Sequence, residues 1–273
     1  MKLSLFLALA MMVTPRGQAG VVIPAGFTNV EGNSNDTSPL GQDGESRFQQ
    51  VFHSSLLNGV PAGTQLTGVT FRVNGPFFNT GVPAQTVTNY EIRLSTSVNA
   101  PGSLSMTFAN NRGADEVVVR TGPLTIAAGD FPASAGDGVE PFGTPILFDA
   151  PFTYNGGHLL LEIAYVGFAE GRGADSVSND PLGQQIFTFG GAGKFSSTTA
   201  DYASTGIFVT SFEVDRTPAV PEPATVVLTG AGMAVAVLAR RRRRPMKRPP
   251  AVMRMTLPGS GTNSPSSVMA RSV

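Results

Sequence analysis

The stretch TGVTFRVNG, Thr67 to Gly75, alternates apolar and polar side chains. Successive side chains of an extended strand point to opposite faces, so the two sets separate. One face carries Val69, Phe71 and Val73, and the other carries Thr70, Arg72 and Asn74. The segment NYEIRLS, Asn89 to Ser95, repeats the pattern, with Tyr90, Ile92 and Leu94 opposite Glu91, Arg93 and Ser95. This period of two predicts half-buried β-strands.

Further apolar or alternating segments follow along residues 20–215, with turn residues about every ten positions. These candidate strands are Phe48 to Leu57, Glu116 to Arg120, Thr144 to Phe148, His158 to Val166, Gln184 to Phe189 and Gly206 to Val214. No amphipathic helix is evident between them. The pattern predicts an all-β fold, an antiparallel β-sandwich of jelly-roll type.

The first nineteen residues have the composition of a secretory signal peptide. Lys2 precedes an apolar run, and small residues precede a predicted cleavage site after Ala19. The run is too short to cross a bilayer, which takes about twenty residues. We therefore expect residues 1–19 to be removed and residues 20–215 to form an exported domain.

The formal net charge is zero, but its distribution is uneven. Residues 20–219 contain 18 acidic and 8 basic side chains, whereas residues 220–273 contain 9 basic side chains and one acidic. An acidic body argues against nucleic acid as its ligand, because binding phosphates requires clustered Lys and Arg. The chain has no cysteine, so disulfides and thiolate chemistry are excluded.

The C-terminal region contains three consecutive features. A linker, residues 216–223, ends in a Pro-Glu-Pro triplet, and residues 224–239 are uncharged and are predicted to form a single transmembrane helix. Sixteen helical residues span about 24 Å, less than the roughly 30 Å of a hydrocarbon core, which suits a temporary anchor. The arginine cluster that follows acts as a stop-transfer signal on the cytoplasmic side and consists of Arg240, Arg241, Arg242, Arg243 and Arg244.

Taken singly, these features also fit an ordinary single-pass anchor. In this order, the motif Val220, Pro221, Glu222, Pro223, the apolar run and the arginines resemble the PEP-CTERM sorting signal of Gram-negative bacteria, also labelled an ice-binding-protein C-terminal domain. The resemblance implies recognition and cleavage by a membrane-embedded exosortase. It also implies delivery to the cell surface or the extracellular polymeric matrix, after transient anchoring in the inner membrane.

The body is similar to the exported domain of many such proteins, in segments such as RFQQVFHSSLL and FTYNGGHLLLEIAYVG. That similarity implies no activity. Members of the family end soon after the arginines, whereas this chain continues through residues 245–273, a segment rich in Pro, Ser, Arg and Met. Its composition predicts disorder.

Residues that could perform catalysis are few. His158 shares a strand face with Glu162. The two side chains either form a common solvent-side site or are simply part of the polar face of a core strand. His53 has no partner at ligand spacing, and there is no Gly-x-Ser-x-Gly elbow. A hydrolase would need two of the body's carboxylates, for which Asp115, Glu116 and Asp149 are weak candidates. We expect a protein without catalytic activity.

A ligand-binding role for the body is the alternative hypothesis. Two loops offer oxygen ligands that calcium accepts, although ordinary turns select the same residues. The candidate ligands are Asp36, Asp43, Asp175 and Asp180. No other cofactor is expected. A carbohydrate-binding module acting on exopolysaccharide, with or without calcium, is the second hypothesis. Against it, the chain has no tryptophan and few tyrosines, and its phenylalanines alternate as core residues do, so no aromatic platform is expected.

Overall fold

The alternating segments form β-strands that pair antiparallel throughout the described part of the chain. A computed structural model describes residues 18–41, 44–133 and 138–215. The strands in these ranges are β1 (Gln18–Ile23), β2 (Ser34–Asp36), β3 (Gly44–Phe52), β4 (Thr64–Phe71), β5 (Gln85–Val87), β6 (Asn89–Thr96), β7 (Val117–Arg120), β8 (Leu124–Ile126), β9 (Ile146–Tyr154), β10 (Leu159–Phe168), β11 (Ala174–Ser178), β12 (Gly183–Phe189), β13 (Tyr202–Phe208) and β14 (Thr210–Asp215). The prediction of an antiparallel all-β fold is confirmed.

Two sheets carry most of these strands. The small sheet has the order β1-β14-β4-β9, and the large sheet has the order β2-β11-β13-β12-β3-β10-β6-β7. Strands β5 and β8 form a separate pair. Short 3-10 turns lie at Ala25–Phe27, Ser54–Leu57 and Phe108–Asn111. Within the described ranges, no helix is long and apolar enough to cross a membrane, and the predicted transmembrane helix at residues 224–239 lies outside them.

The main core lies between the two sheets. Phe52 of the large sheet meets Phe212 of the small sheet edge-to-face, with ring centroids 6.0 Å apart. The alternation read from the sequence is confirmed in β6, where Tyr90, Ile92 and Leu94 are fully buried. Burial of these side chains between the sheets supplies the main favourable contribution to folding.

The expectation of half-buried strands is wrong for the end of β4. The polar set Thr70, Arg72 and Asn74 is as buried as the apolar set. Thr70 donates a hydrogen bond to the carbonyl of Gly143 at 2.8 Å, and Asn74 donates to the carbonyl of Ser34 at 2.9 Å. Both side chains bond to segments that cover this face and are distant in sequence. The local alternation of the sequence gives no information about such segments.

A second, smaller core lies on the outer face of the large sheet. Leu104, Phe108 and Ala200 cover Val51, Leu160 and Ile186. The face of β10 that was expected to meet solvent is therefore covered as well. For this reason Glu162 is only 2% exposed.

One predicted strand, Gly206 to Val214, is in fact two. Strand β13 ends at Phe208 in the large sheet, and β14 begins at Thr210 in the small sheet. Only Val209 separates them, and its N–H donates to the carbonyl of Asp175 at 2.9 Å. Similarly, the predicted strand Phe48 to Leu57 ends at Phe52, and Ser54–Leu57 forms a 3-10 turn. Strand ends depend on where a pairing partner stops, which the sequence pattern does not specify.

The two ends of the body lie side by side. Gln18 is the register partner of Asp215, and β1 and β14 pair from there to Ile23 and Thr210. Gln18 and Ala19 belong to β1, so cleavage after Ala19 would leave Gly20–Ile23 as the paired strand. Gln18 and Asp215 therefore lie at the same end of the small sheet.

A buried ion pair joins the sheets near the β13–β14 crossing. The guanidinium of Arg72 donates through Nε and Nη2 to Oδ2 of Asp175 at 2.8 and 2.5 Å, and neither side chain is exposed. Arg72 also donates to the carbonyl of Val30, and Gly32 N–H donates to Asp175 Oδ1 at 2.8 Å. The pair thus holds β4, β11 and the segment after β1 together.

We expect Asp175→Asn to lower the free energy of unfolding by about 3 kcal/mol or more, because it leaves the Arg72 guanidinium buried without a counter-charge. Urea unfolding of the full chain, followed by circular dichroism, measures the loss. The control is Asp180→Asn, since Asp180 only accepts a hydrogen bond from Leu182 N–H at 2.9 Å and an amide oxygen can replace it. Equal stability of the two variants would contradict a structural role for the pair.

Candidate functional site

The residues predicted for sorting lie beyond the described part of the chain. The body ends with β14 at Asp215, and the motif Val220, Pro221, Glu222, Pro223 follows after a few residues. The apolar run and Arg240 to Arg244 are also outside the described residues. Strand β14 is buried up to Val214, and Asp215 is half-buried. The described strands therefore all precede the motif in the sequence.

The described calcium candidates each use their carboxylate within the fold. Asp36 Oδ1 accepts from the N–H and hydroxyl of Ser38, Asp175 is paired with Arg72, and Asp180 accepts from Leu182 N–H. Asp43 lies outside the described residues. Within the described ranges, no three histidine or acidic side chains are placed to hold a metal ion. The oxygen-rich loops satisfy their own backbone, as turn residues commonly do.

The weak hydrolase candidates are also engaged elsewhere. Asp115 accepts from the N–H and hydroxyl of Thr96 at 2.9 and 2.7 Å. Glu116 accepts from Arg93 at 2.6 Å, and Asp149 accepts from Thr121 N–H at 3.1 Å. Each of these three carboxylates is therefore engaged in a structural hydrogen bond or ion pair.

Glu162 is the centre of a buried charge cluster. Arg112 donates to it through Nε and Nη2 at 2.8 and 2.7 Å, in the two-pronged geometry that matches guanidinium to carboxylate. Arg47 donates at 2.9 Å, and Gln49 donates at 2.6 Å. Of the two alternatives for this strand face, a solvent-side site shared by Glu162 and His158 is not formed, because four donor groups occupy Glu162 beneath the outer cover.

His158 instead meets His53. Their ring centroids lie 4.6 Å apart, and backbone N–H groups donate to both Nδ1 atoms, from Ser54 to His158 at 3.0 Å and from Ser55 to His53 at 3.2 Å. A nitrogen that accepts carries no proton, so neutral His158 holds its proton on Nε2. Burial, and secondarily the charge of His53, lower the pKa of His158 below its usual value. The sequence contained both residues, but their contact depends on the turn after β3.

A second acidic group lies beside the Arg72–Asp175 pair. Burial, and then the charge of Asp175, raise the pKa of Glu31 to about 7. Glu31 Oε1 accepts from Gly75 N–H at 3.3 Å, while Oε2 has no partner; the same is true of Asn74 Oδ1. Protonated Glu31 is a neutral acid with a donor near this acceptor-rich end of the sandwich.

An aromatic cluster lies at strands β12 and β13. Phe187, Phe189 and Tyr202 are mutually near-parallel, with ring centroids 5.5 to 5.9 Å apart and interplanar angles of 14° to 25°. Tyr202 is 52% exposed, and both phenylalanines are half-buried. The three rings are stacked against one another and do not lie side by side as a flat platform. The alternation of the sequence in β12 puts Phe187 and Phe189 on one face. Tyr202 joins them only through the pairing of β13 with β12.

The described all-β body is followed in the sequence by a segment with the character of a sorting element. Residues 219–244 match the family model of the PEP-CTERM protein-sorting motif, and the resemblance read from the sequence is confirmed. Signals of this kind are recognised by an exosortase and imply export and surface association. A search of curated proteins and a search of solved structures each returned no match.

We expect Glu162→Gln to lower the free energy of unfolding by about 3 kcal/mol, because the amide leaves the Arg47 and Arg112 guanidinium groups without their buried counter-charge. Glu116→Gln is the matched control. Its side chain is 28% exposed and binds Arg93 and Arg112 at the margin of the same cluster, so we expect a loss below about 1 kcal/mol. Urea unfolding distinguishes the two, and equal losses would show that burial of Glu162 does not matter.

The His158 pKa predicts pH-dependent stability. The unfolded imidazole binds its proton near pH 6.5, whereas folded His158 binds it only at lower pH. The contribution to stability is therefore complete above about pH 6.5 and is lost as the pH falls through that value toward the folded pKa. We expect His158→Asn, whose Oδ1 can accept from Ser54 N–H, to reduce the fall in urea midpoint between about pH 7.5 and about pH 5. The same fall in variant and parent would show that His158 is not responsible.

Proposed function

We propose that this chain is the precursor of a non-catalytic surface or extracellular-matrix protein. Its signal peptide is removed at the inner membrane, and its β-sandwich is exported. An exosortase then cleaves near Pro221 to Pro223 while residues 224–239 hold the chain in the membrane, and Arg240 to Arg244 remain on the cytoplasmic side. The observation that carries the proposal is the sorting-motif match at residues 219–244.

The position at which the described strands end supports this order of events. The folded strands end at Asp215, so cleavage within the motif would leave every described strand intact. Prolines flanking Glu222 oppose helix formation and favour an extended peptide, which is the form a processing enzyme can bind. The hydrolase candidates Asp115, Glu116 and Asp149 are engaged in structural contacts, which supports a binding or structural role for the body.

A carbohydrate-binding module is the second candidate function. The aromatic cluster formed by Phe187, Phe189 and Tyr202 favours it, because an exported protein delivered to a polysaccharide matrix would meet sugars there. Assistance by calcium has less support, since the described candidates Asp36, Asp175 and Asp180 use their carboxylates within the fold.

The sorting proposal is tested by intact-mass analysis of protein from the cell envelope and culture supernatant, in hosts with and without the exosortase. We expect a species lacking residues after the Pro-Glu-Pro motif only in the host that has the enzyme. Replacing Pro221, Glu222 and Pro223 by alanine should abolish that species, because the enzyme loses its recognition peptide. Pro218→Ala, outside the motif match, is the control and should be processed normally. Retention of Arg240 to Arg244 in both hosts would indicate a plain membrane anchor.

A further inference from the structure

A polar segment covers the buried pair of Arg72 and Asp175. This segment, residues 28–32 between β1 and β2, is called the strap. The carbonyl of Val30 accepts from the Arg72 guanidinium, and Gly32 N–H donates to Asp175 Oδ1 at 2.8 Å. No side chain of the strap belongs to the hydrophobic core. Polar contacts therefore hold the strap, and segments with few buried apolar contacts are the ones that open locally at low cost.

Glu31 is the one acidic side chain of the strap, and it contacts the chain that follows β4. Its Oε1 accepts from Gly75 N–H at 3.3 Å, whereas its buried Oε2 has no hydrogen-bond partner in the described part of the chain. Asn74, which directly precedes Gly75, is 1% exposed, and its buried Oδ1 also has no donor there. Buried acceptors without a donor are destabilising, so this cluster lacks hydrogen-bond donors.

The charged groups that face Glu31 disfavour its ionised form. Burial is the largest cause that raises the pKa of Glu31, and the charges of Asp175 on β11 and of Glu140 before β9 raise it further, to about 7. Arg72, after β4, is the charged neighbour that lowers it, and Arg72 is already paired with Asp175. Protonation of Glu31 removes the excess negative charge and turns the carboxyl group into a hydrogen-bond donor.

We propose that Glu31 is a pH-sensitive switch that controls the strap. The strap is closed over the Arg72–Asp175 pair when Glu31 is protonated, and it opens when Glu31 loses its proton. Opening gives water access to the ion pair but leaves the sheets paired, because the strap contains no strand residue. This property goes beyond sorting and does not depend on it. An exported body with this switch responds to the acidity of its surroundings.

The direction of the pH effect follows from the difference between the closed and the open strap. Glu31 in the open strap binds its proton near its ordinary pKa of 4.5, whereas in the closed strap it keeps the proton up to about pH 7. The stabilisation of the closed strap is therefore complete below about pH 4.5 and is lost as the pH rises to about 7. His158 acts in the opposite direction, so the test needs a readout confined to the strap.

The test is hydrogen–deuterium exchange of the full chain in detergent and EDTA, measured by mass spectrometry on peptides that contain the strap. Parent and Glu31→Gln are compared at the same pH, which cancels the intrinsic pH dependence of exchange. The amide stays neutral, so the variant strap remains closed at every pH. We expect the ratio of parent to variant exchange in the strap to rise about tenfold between about pH 5 and about pH 7 and to level off above it. The full pKa difference would give more, but the partial exposure of Glu31 reduces the effect.

Glu170→Gln is the matched control, because the Glu170 side chain is 66% exposed and pairs with Arg172. It should follow the parent at every pH. Glu31→Ala is a second variant, which removes the titrating group together with its contact to Gly75 and should also lose the pH dependence. A variant with the Pro-Glu-Pro motif replaced should keep the parent's pH dependence, which separates failure of the switch from failure of sorting.

Peptides from β10 show whether the opening is local, and we expect them to exchange equally in the parent and in Glu31→Gln. The proposal is overturned if the exchange ratio in the strap does not change with pH, or if Glu170→Gln alters it as much as Glu31→Gln does. It is also overturned if β10 peptides change together with the strap, since the whole body would then unfold.

Discussion

The buried pair of Arg72 and Asp175 is the contact on which the arrangement of the two sheets depends. Asp175 N–H donates to the Arg72 carbonyl and the Asp175 carbonyl accepts from Val209 N–H, both at 2.9 Å, so backbone and side chain are fixed together. Val209 is the single residue between β13 in the large sheet and β14 in the small sheet. A buried ion pair adds little net stability over an apolar replacement, but it strongly penalises any packing that separates its partners. The crossing between the sheets is therefore specified at this point.

Buried ion pairs also constrain the packing on the outer face of the large sheet. Glu162 is held by Arg112, Arg47 and Gln49 beneath a cover that includes Leu104 and Phe108. Both faces of the central strands are consequently buried, and most polar side chains there make structural hydrogen bonds or ion pairs. The open end of β12 and β13 is different, because aromatic rings reach solvent there without a covering segment in the described residues.

Pairing of the first and last described strands makes the small sheet depend on contacts between residues distant in sequence. Strand β1 pairs with β14, so residues near the two ends of the body are neighbours although nearly the whole body separates them in sequence. The small sheet can be completed only once the chain through Asp215 is available for pairing. Long-range pairing of this kind makes folding slow compared with local structure.

The sequence by itself determined the local properties of this protein. Alternation in β6 predicted that Tyr90, Ile92 and Leu94 would be buried, because side-chain direction in a strand follows from its period of two. The sorting motif was recognisable for the same reason, since its three parts are contiguous and need no tertiary contact. Only the tertiary structure decided which strands are neighbours, and with them the Arg72–Asp175 pair, the His53–His158 contact and the meeting of Tyr202 with Phe187. Those contacts depend on register and on covering segments distant in sequence, and no local pattern encodes either of them.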